Sequence, residues 1–210
     1  MALFSGEDIL CFRGERTVFS DLSFSIQSGE ALVLRGPNGS GKSTLLRLMA
    51  GLLKPHDGTI TWDGENISDD PEGHNAHLHY VGHADAVKPV LSVHENIAFW
   101  ANLRTNAGPI EAALDAFGIG YLTDVPGRFL SAGQKRRVNL ARILASPAEL
   151  WLLDEPTTAL DAEAIHDLKH EIATHRASGG IVIASTHTEI GLKDARILNL
   201  DDFQLTEDAA

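Results

Sequence analysis

A single cysteine, Cys11, stands in this chain of 210 residues, so an intrachain disulfide and a Cys-x-x-Cys redox or metal pair are both excluded. Apolar runs are short, and none reaches the ~20 residues a membrane helix needs. The opening stretch, Met1 to Asp8, carries acids and no basic cluster, so no secretory leader is read there. Bases are scarce, with 17 Lys and Arg against 29 Asp and Glu, a net charge of −12. That excess disfavours nucleic acid and anionic lipid as partners. Any membrane contact is therefore expected to run through partner proteins. Internal repeats and low-complexity linkers are missing too. These absences leave one ordinary globular domain in a reducing cytoplasm, with Cys11 as a buried strand residue.

The residues that are present alternate between strand and helix patterns. Ile9–Phe19 and Leu22–Ile26 alternate as strands, and Ser28-Gly29-Glu30 reads as a turn. Ala31-Leu32-Val33-Leu34 is a continuous apolar run, as expected of a strand buried on both faces. A helix is predicted from about Lys42, with Gly51 as its stop. Thr59–Trp62 before Asp63-Gly64 reads as a strand and tight turn, and Leu78–Val81 as another strand. From Leu91 to Tyr121 the pattern turns helical, and strands return at Leu150–Leu153 and Ile181–Ala184. The expected fold is α/β: a mostly parallel core sheet, a small antiparallel β region near the N-terminus and an inserted helical lobe. The expected organisation is one domain over 1–210, with core at about 1–84 and 136–210 and lobe at about 85–135. The tail Glu207–Ala210 is expected to fray.

Gly36-Pro37-Asn38-Gly39-Ser40-Gly41-Lys42-Ser43, followed by Thr44, fits the phosphate-loop pattern G-x-x-x-x-G-K-[ST]. Glycines let backbone N–H groups curl around phosphate oxygens, and the following helix N-terminus adds positive potential. Lys42 is placed to reach the β- and γ-phosphates of a nucleotide, and the Ser43 hydroxyl to ligate Mg²⁺. The strand context on one side and the helix context on the other separate this run from a mere Gly-rich turn.

Leu150–Leu153 leads into Asp154-Glu155-Pro156. A carboxylate ending a buried strand is costly unless it meets a cation. Behind a phosphate loop, Asp154 reads as the carboxylate of the Mg²⁺ shell. Glu155, pointing the other way on a strand, reads as a general base for water. The bland alternative is that both acids open a solvated loop.

Leu130-Ser131-Ala132-Gly133-Gln134, running into Lys135-Arg136-Arg137, resembles the signature motif of ABC ATPases. Thr158-Ala159-Leu160-Asp161 resembles their D-loop, and Ser185-Thr186-His187 their switch-histidine loop. The order matches the family, and the resemblance spans nearly the whole chain. It implies an ATP-dependent homodimer packed head to tail around two ATP molecules. Ser131 and the Gly133 N–H would meet the γ-phosphate on the partner's loop, with Gln134 of the same signature counted among the nucleotide-binding residues; His187 would contact the γ-phosphate beside Glu155, and Asp161 would lie at the dimer interface. ATP and Mg²⁺ are the implied ligands.

Two positions depart from the family pattern. His83 falls where these ATPases carry a Gln at the nucleotide site; a neutral imidazole can still ligate Mg²⁺ or water. Arg13, with Phe12 beside it, falls where an aromatic stacks on adenine, and either side chain can cover a purine. With Arg13-Gly14-Glu15-Arg16 and Ser-Ala-Gly-Gln, these departures resemble the ATP-binding subunits of cytochrome c biogenesis, or haem exporter, ABC complexes. That implies integral membrane subunits as partners, peripheral attachment at the cytoplasmic face of a bacterial inner membrane, and work coupled to haem handling. The ATPase of another importer or exporter, or a soluble scaffold ATPase like those of iron–sulfur assembly, stays open at this point.

His74, His77, His79 and His83 cluster in sequence, in a segment read as a loop leading into a strand; with no cysteine beside them, they read as structural rather than as metal or haem ligands. His166 and His170 read as an exposed helix face. Arg136, Arg137 and Arg142 continue the signature helix and read as interlobe structure rather than a nucleic-acid patch.

Overall fold

The computed structural model describes residues 2–104 and 108–204, so the expected fraying at Glu207–Ala210 lies outside the described residues. Strands β1 (Leu3–Arg13) and β2 (Arg16–Gln27) form a long antiparallel hairpin, joined along its other edge by β4 (Asp57–Trp62) and β5 (Glu65–Asn66). The hairpin turns at Gly14-Glu15, with Arg13 opposite Arg16. A break was expected near Phe19–Leu22; there the chain instead bulges, with Asp21 at φ 53°. A left-handed residue inside a strand re-aims the alternation without ending the pairing, which is why the apolar pattern looked interrupted.

The second sheet is parallel, in the order β6-β7-β8-β3-β9, from β6 (Leu78–Val81), β7 (Leu150–Asp154), β8 (Ile181–Ser185), β3 (Ala31–Arg35) and β9 (Arg196–Asn199). Its central strands β7, β8 and β3 are buried on both faces, and period-2 alternation divides their side chains between two cores. Leu32, Leu34, Leu150, Leu152, Ile181 and Ile183 pack with α1 (Lys42–Met49) and the antiparallel sheet. Val33, Trp151, Leu153, Val182 and Ala184 pack with α3 (Val93–Ala101), α4 (Ile110–Asp115), α5 (Ala132–Leu144) and α6 (Ala162–Ala177).

Between β5 and β6 the chain forms a short helix, α2 (Pro71–His77), where a loop was expected. Asp70 caps it by accepting from the Gly73 N–H at 2.9 Å, and Pro71 stands at its first position, where the missing N–H costs nothing. Both α3 and α5 open with reciprocal capping boxes, Ser92 with Glu95 and Ser131 with Gln134. Helix α5 is unbroken across residues 135 and 136, so one rigid rod carries the signature at its start and core contacts further on.

Candidate nucleotide site

The loop after β3 turns back on itself before α1. Gly39 and Gly41 have φ of +87° and +103°, a region open to glycine at little cost. A Cβ on Gly41 would also stand 2.5 Å from Val18 Cγ1 of β2. The Lys42 ammonium lies inside the loop, donating to the carbonyls of Gly36 at 2.8 Å and Pro37 at 2.9 Å. The parallel sheet then brings distant residues to the same edge. Asn38, Gly39, Gly41, Lys42, Ser43 and Thr44 line a cleft of about 460 Å³ together with His83, Asp154 and Glu155, a size ordinary for a small-molecule site. Gly36, Pro37 and Ser40 complete the loop without lining the cleft.

Asp154 is 2% exposed at the end of β7. Its Oδ1 accepts from the Ser185 hydroxyl at 2.7 Å, while Oδ2 has no partner. A buried carboxylate with one bare oxygen calls for a cation. The Ser43 hydroxyl lines the same cleft, so the donors are hard oxygens of the kind Mg²⁺ prefers. The residues present therefore fit the cation: Asp154 and Ser43 would hold it, with His83 on the cleft wall.

Glu155 does not continue the strand alternation expected of it. Its φ is +45°, so the chain has already left β7. Its N–H is held by the Ser185 carbonyl at 3.0 Å and hydroxyl at 3.1 Å. This turn aims the carboxylate across the cleft, where Oε1 stands 3.6 Å from His187 Nε2. His187 thus meets the cleft through Glu155.

The signature residues lie elsewhere. Ser131 is exposed, and its hydroxyl accepts from the Gln134 N–H at 3.2 Å while Gln134 Oε1 accepts from the Ser131 N–H at 2.8 Å. Gly133 is required by close approach, since a Cβ there would meet the Ala159 carbonyl at 2.8 Å. Asp161 caps α6 by accepting from the Ala164 N–H and is forked by Arg137 Nη2 at 2.6 and 2.7 Å. That N–H, and then the guanidinium, hold its carboxyl below the usual range. Ser131, Gly133, Gln134 and Asp161 do not line the cleft of their own chain.

The model of the ABC transporter family matches residues 19–158. The chain belongs to the ABC transporter ATP-binding family. A relative in Rhodospirillum rubrum named cytochrome c biogenesis ATP-binding export protein CcmA is 58% identical over 204 residues, covering 96% of this chain and 87% of that one. The protein of the same name in Paramagnetospirillum magneticum is 56% identical over 210 residues, covering 98% and 97%. Within the ABC family the chain therefore belongs with the cytochrome c biogenesis export ATPases. Among solved structures, an ATP-binding subunit of an ABC transporter aligns with a TM-score of 0.81 at 25% identity, over 88% of this chain and 80% of that one. A bacterial Atm1-family ABC exporter with ATP bound aligns at 0.83 and 28% identity, over 98% of this chain and 38% of that longer one.

Both departures from the ABC pattern reach the cleft, through His83 and Arg13. Phe12, 42% exposed, packs edge-on against His56 with ring centroids 4.9 Å apart and stays outside the cleft lining. Neighbouring residues on a strand face opposite ways, so one of this pair had to point elsewhere. Arg16, Val18 and Gln204 also line the cleft and were missed. The signal for Arg16 and Val18 was their i, i+2 spacing after Gly14, legible once the turn is placed there.

The other histidines disperse. His74 donates through Nε2 to the Met49 carbonyl at 2.8 Å, and His79 through Nε2 to the Ser146 carbonyl at 2.5 Å. His77 ends α2, stacks on Trp62 and pairs with Glu149. Among the described residues, no group of three or more His, Cys, Asp or Glu is arranged to hold a metal, and no helix is long and apolar enough to cross a membrane.

Proposed function

We propose that this chain is the ATP-hydrolysing subunit of a cytochrome c biogenesis ABC export complex. In this reading it is one nucleotide-binding domain that works at the cytoplasmic face of a bacterial inner membrane, docked on integral membrane subunits, and energises haem handling. The observation that carries the proposal is the convergence of Lys42, Asp154 and Glu155 on one cleft, in a chain this similar to relatives of that name.

Lys42 would leave its carbonyl partners for the β- and γ-phosphates of ATP, as a point charge suited to that contact. Bound Mg²⁺ would neutralise charge on the phosphate oxygens. Glu155 would accept a proton from the attacking water, and His187 would orient that water and the terminal phosphate. Arg13 is the candidate for covering the adenine. Ser131 and the Gly133 N–H stand outside their own cleft, which supports a second copy of the chain supplying them across an ATP-dependent homodimer. A helix N-terminus with a hydroxyl is well suited to an anion.

The test is a strain whose only copy carries Glu155→Gln. Covalent haem staining of denatured periplasmic extracts should disappear, while the spectrum of a b-type cytochrome, which needs no covalent attachment, stays normal. Normal c-type cytochromes despite confirmed loss of ATPase activity would overturn the haem-pathway assignment and leave the ATPase assignment standing.

A further inference from the structure

Helix α5 carries Arg136 in its second turn, and the side chain is 2% exposed. Its Nε donates to the Pro156 carbonyl at 3.1 Å. Its Nη2 donates to the carbonyls of Asp154 at 3.0 Å and Glu155 at 2.6 Å. Its Nη1 donates to the Gly82 carbonyl at 2.9 Å and to Asp85 Oδ1 at 3.3 Å. A guanidinium has five N–H donors, and here five acceptors meet it.

Three of those acceptors are carbonyls of successive residues. Carbonyls in sequence converge only where the chain turns sharply, and Glu155 at φ +45° is that turn. Their negative ends would repel one another without a cation among them. From the other side, the Glu155 N–H is held by Ser185. The Glu155 backbone is thus clamped at both ends, and the clamp fixes where its carboxylate stands relative to His187. The Gly82 carbonyl lies one residue before His83, so the same guanidinium also holds the loop carrying the cleft histidine. A neutral amide could not satisfy five acceptors, and a lysine, with three donors at one tip, could not span them.

We propose that Arg136 is a positioning residue for ATP hydrolysis, linking the signature helix to the Glu155 turn and the His83 loop so that the base is aligned only when α5 is seated. This rests on the assignment of Glu155 as base. Seating of α5 against the opposing nucleotide is thereby felt at the chain's own cleft, through one buried side chain.

The experiment uses the full chain in its membrane complex and measures phosphate release per titrated nucleotide site. Arg136→Gln and Arg136→Lys should lower kcat about tenfold or more, since small misplacement of a reacting group is costly. KM and the affinity for a fluorescent ATP analogue should shift by less than about twofold. Arg136→Lys keeps the buried charge and carries the test where the neutral variant does not fold. Val138→Ala, a buried change one residue pair along the same helix, should lower the melting temperature while keeping kcat. In a Glu155→Gln background, Arg136→Lys should add less than about a twofold further loss, because the group it positions is already gone. Unchanged kcat in the Arg136 variants, an equal kcat loss in Val138→Ala, or full multiplication of the two defects would each overturn the proposal. Wild-type hydrolysis by Glu155→Gln alone would overturn the underlying assignment of the base instead.

Discussion

The phosphate-loop edge and the signature turn stand in opposite settings. At the first, Lys42 and Asp154 are 8% and 2% exposed and held by Gly36, Pro37 and Ser185. At the second, Ser131 is exposed and its hydroxyl is occupied by a helix cap, while the Asp161 side chain is 63% exposed. A buried group is organised for a ligand that enters its own cleft. An exposed, already capped group is organised for a surface that arrives later. On the proposed reading, one chain would hold two half-sites belonging to two different nucleotides.

The strongest test of this contrast is Glu155→Gln, which keeps the shape of the cleft and removes the carboxylate. Phosphate release should fall about 10²–10⁴-fold, with ATP binding retained and an ATP-bound dimer accumulating in gel filtration. Next is Ser131→Arg. Hydrolysis should drop about 10²–10³-fold, as when a transition-state donor is lost, while a single chain binds ATP normally. Lys42→Ala should instead weaken ATP binding about 10–100-fold, the worth of charge-assisted contacts to phosphate. Mixing the Ser131→Arg and Lys42→Ala chains sharpens the comparison, because a mixed dimer has one site with both halves intact. Activity should recover to about a quarter of wild type by random pairing of twofold dimers. No recovery would mean that signature and cleft act within one chain.

The smallest effect separates acid damage to the scaffold from acid damage to the cleft. Burial pushes the His79 imidazole down to about 3 and His175, stacked on Trp151, down to about 4. Both are neutral when folded and take up a proton when unfolded below about pH 6.5. Their contribution is complete above pH 6.5. It is lost as pH falls toward 4 for His175 and toward 3 for His79, at about 1.4 kcal/mol per pH unit each. Urea midpoints between pH 7.5 and 5 should therefore fall less steeply in His175→Gln than in the wild type. Equal slopes would show that other groups set the acid limit.

The sequence carried the phosphate loop, the buried strands and the order of the motifs, because each rests on short-range pattern: glycine spacing, apolar runs, a carboxylate closing a strand. What it hid depends on where the chain bends. Glu155 was placed by strand alternation, but its left-handed φ ends the alternation one residue early. Arg16 and Val18 were overlooked because the hairpin turn at Gly14 was not located, and Phe12 was credited with a face that belongs to Arg13. Arg136 looked like one basic residue in a cluster of three. Its role rests on carbonyls from two other segments, Gly82 and Asp154–Pro156, and main-chain acceptors leave no mark in side-chain identity.

The strand order has a consequence for synthesis on the ribosome. Strands β3 and β7, which end in the phosphate loop and Asp154, do not touch; β8 lies between them. Of the strands framing the cleft, β8 leaves the ribosome last, roughly 10–30 s after β3 at ordinary elongation rates. Until it arrives, β3 and β7 each present an open apolar edge, and the Asp154 carboxylate lacks the Ser185 hydroxyl that holds it. The Asp154 side of the cleft is therefore completed only once Ile181–Ser185 has emerged. Insertion of Ile181–Ser185 into the middle of the sheet closes the facing edges of β3 and β7.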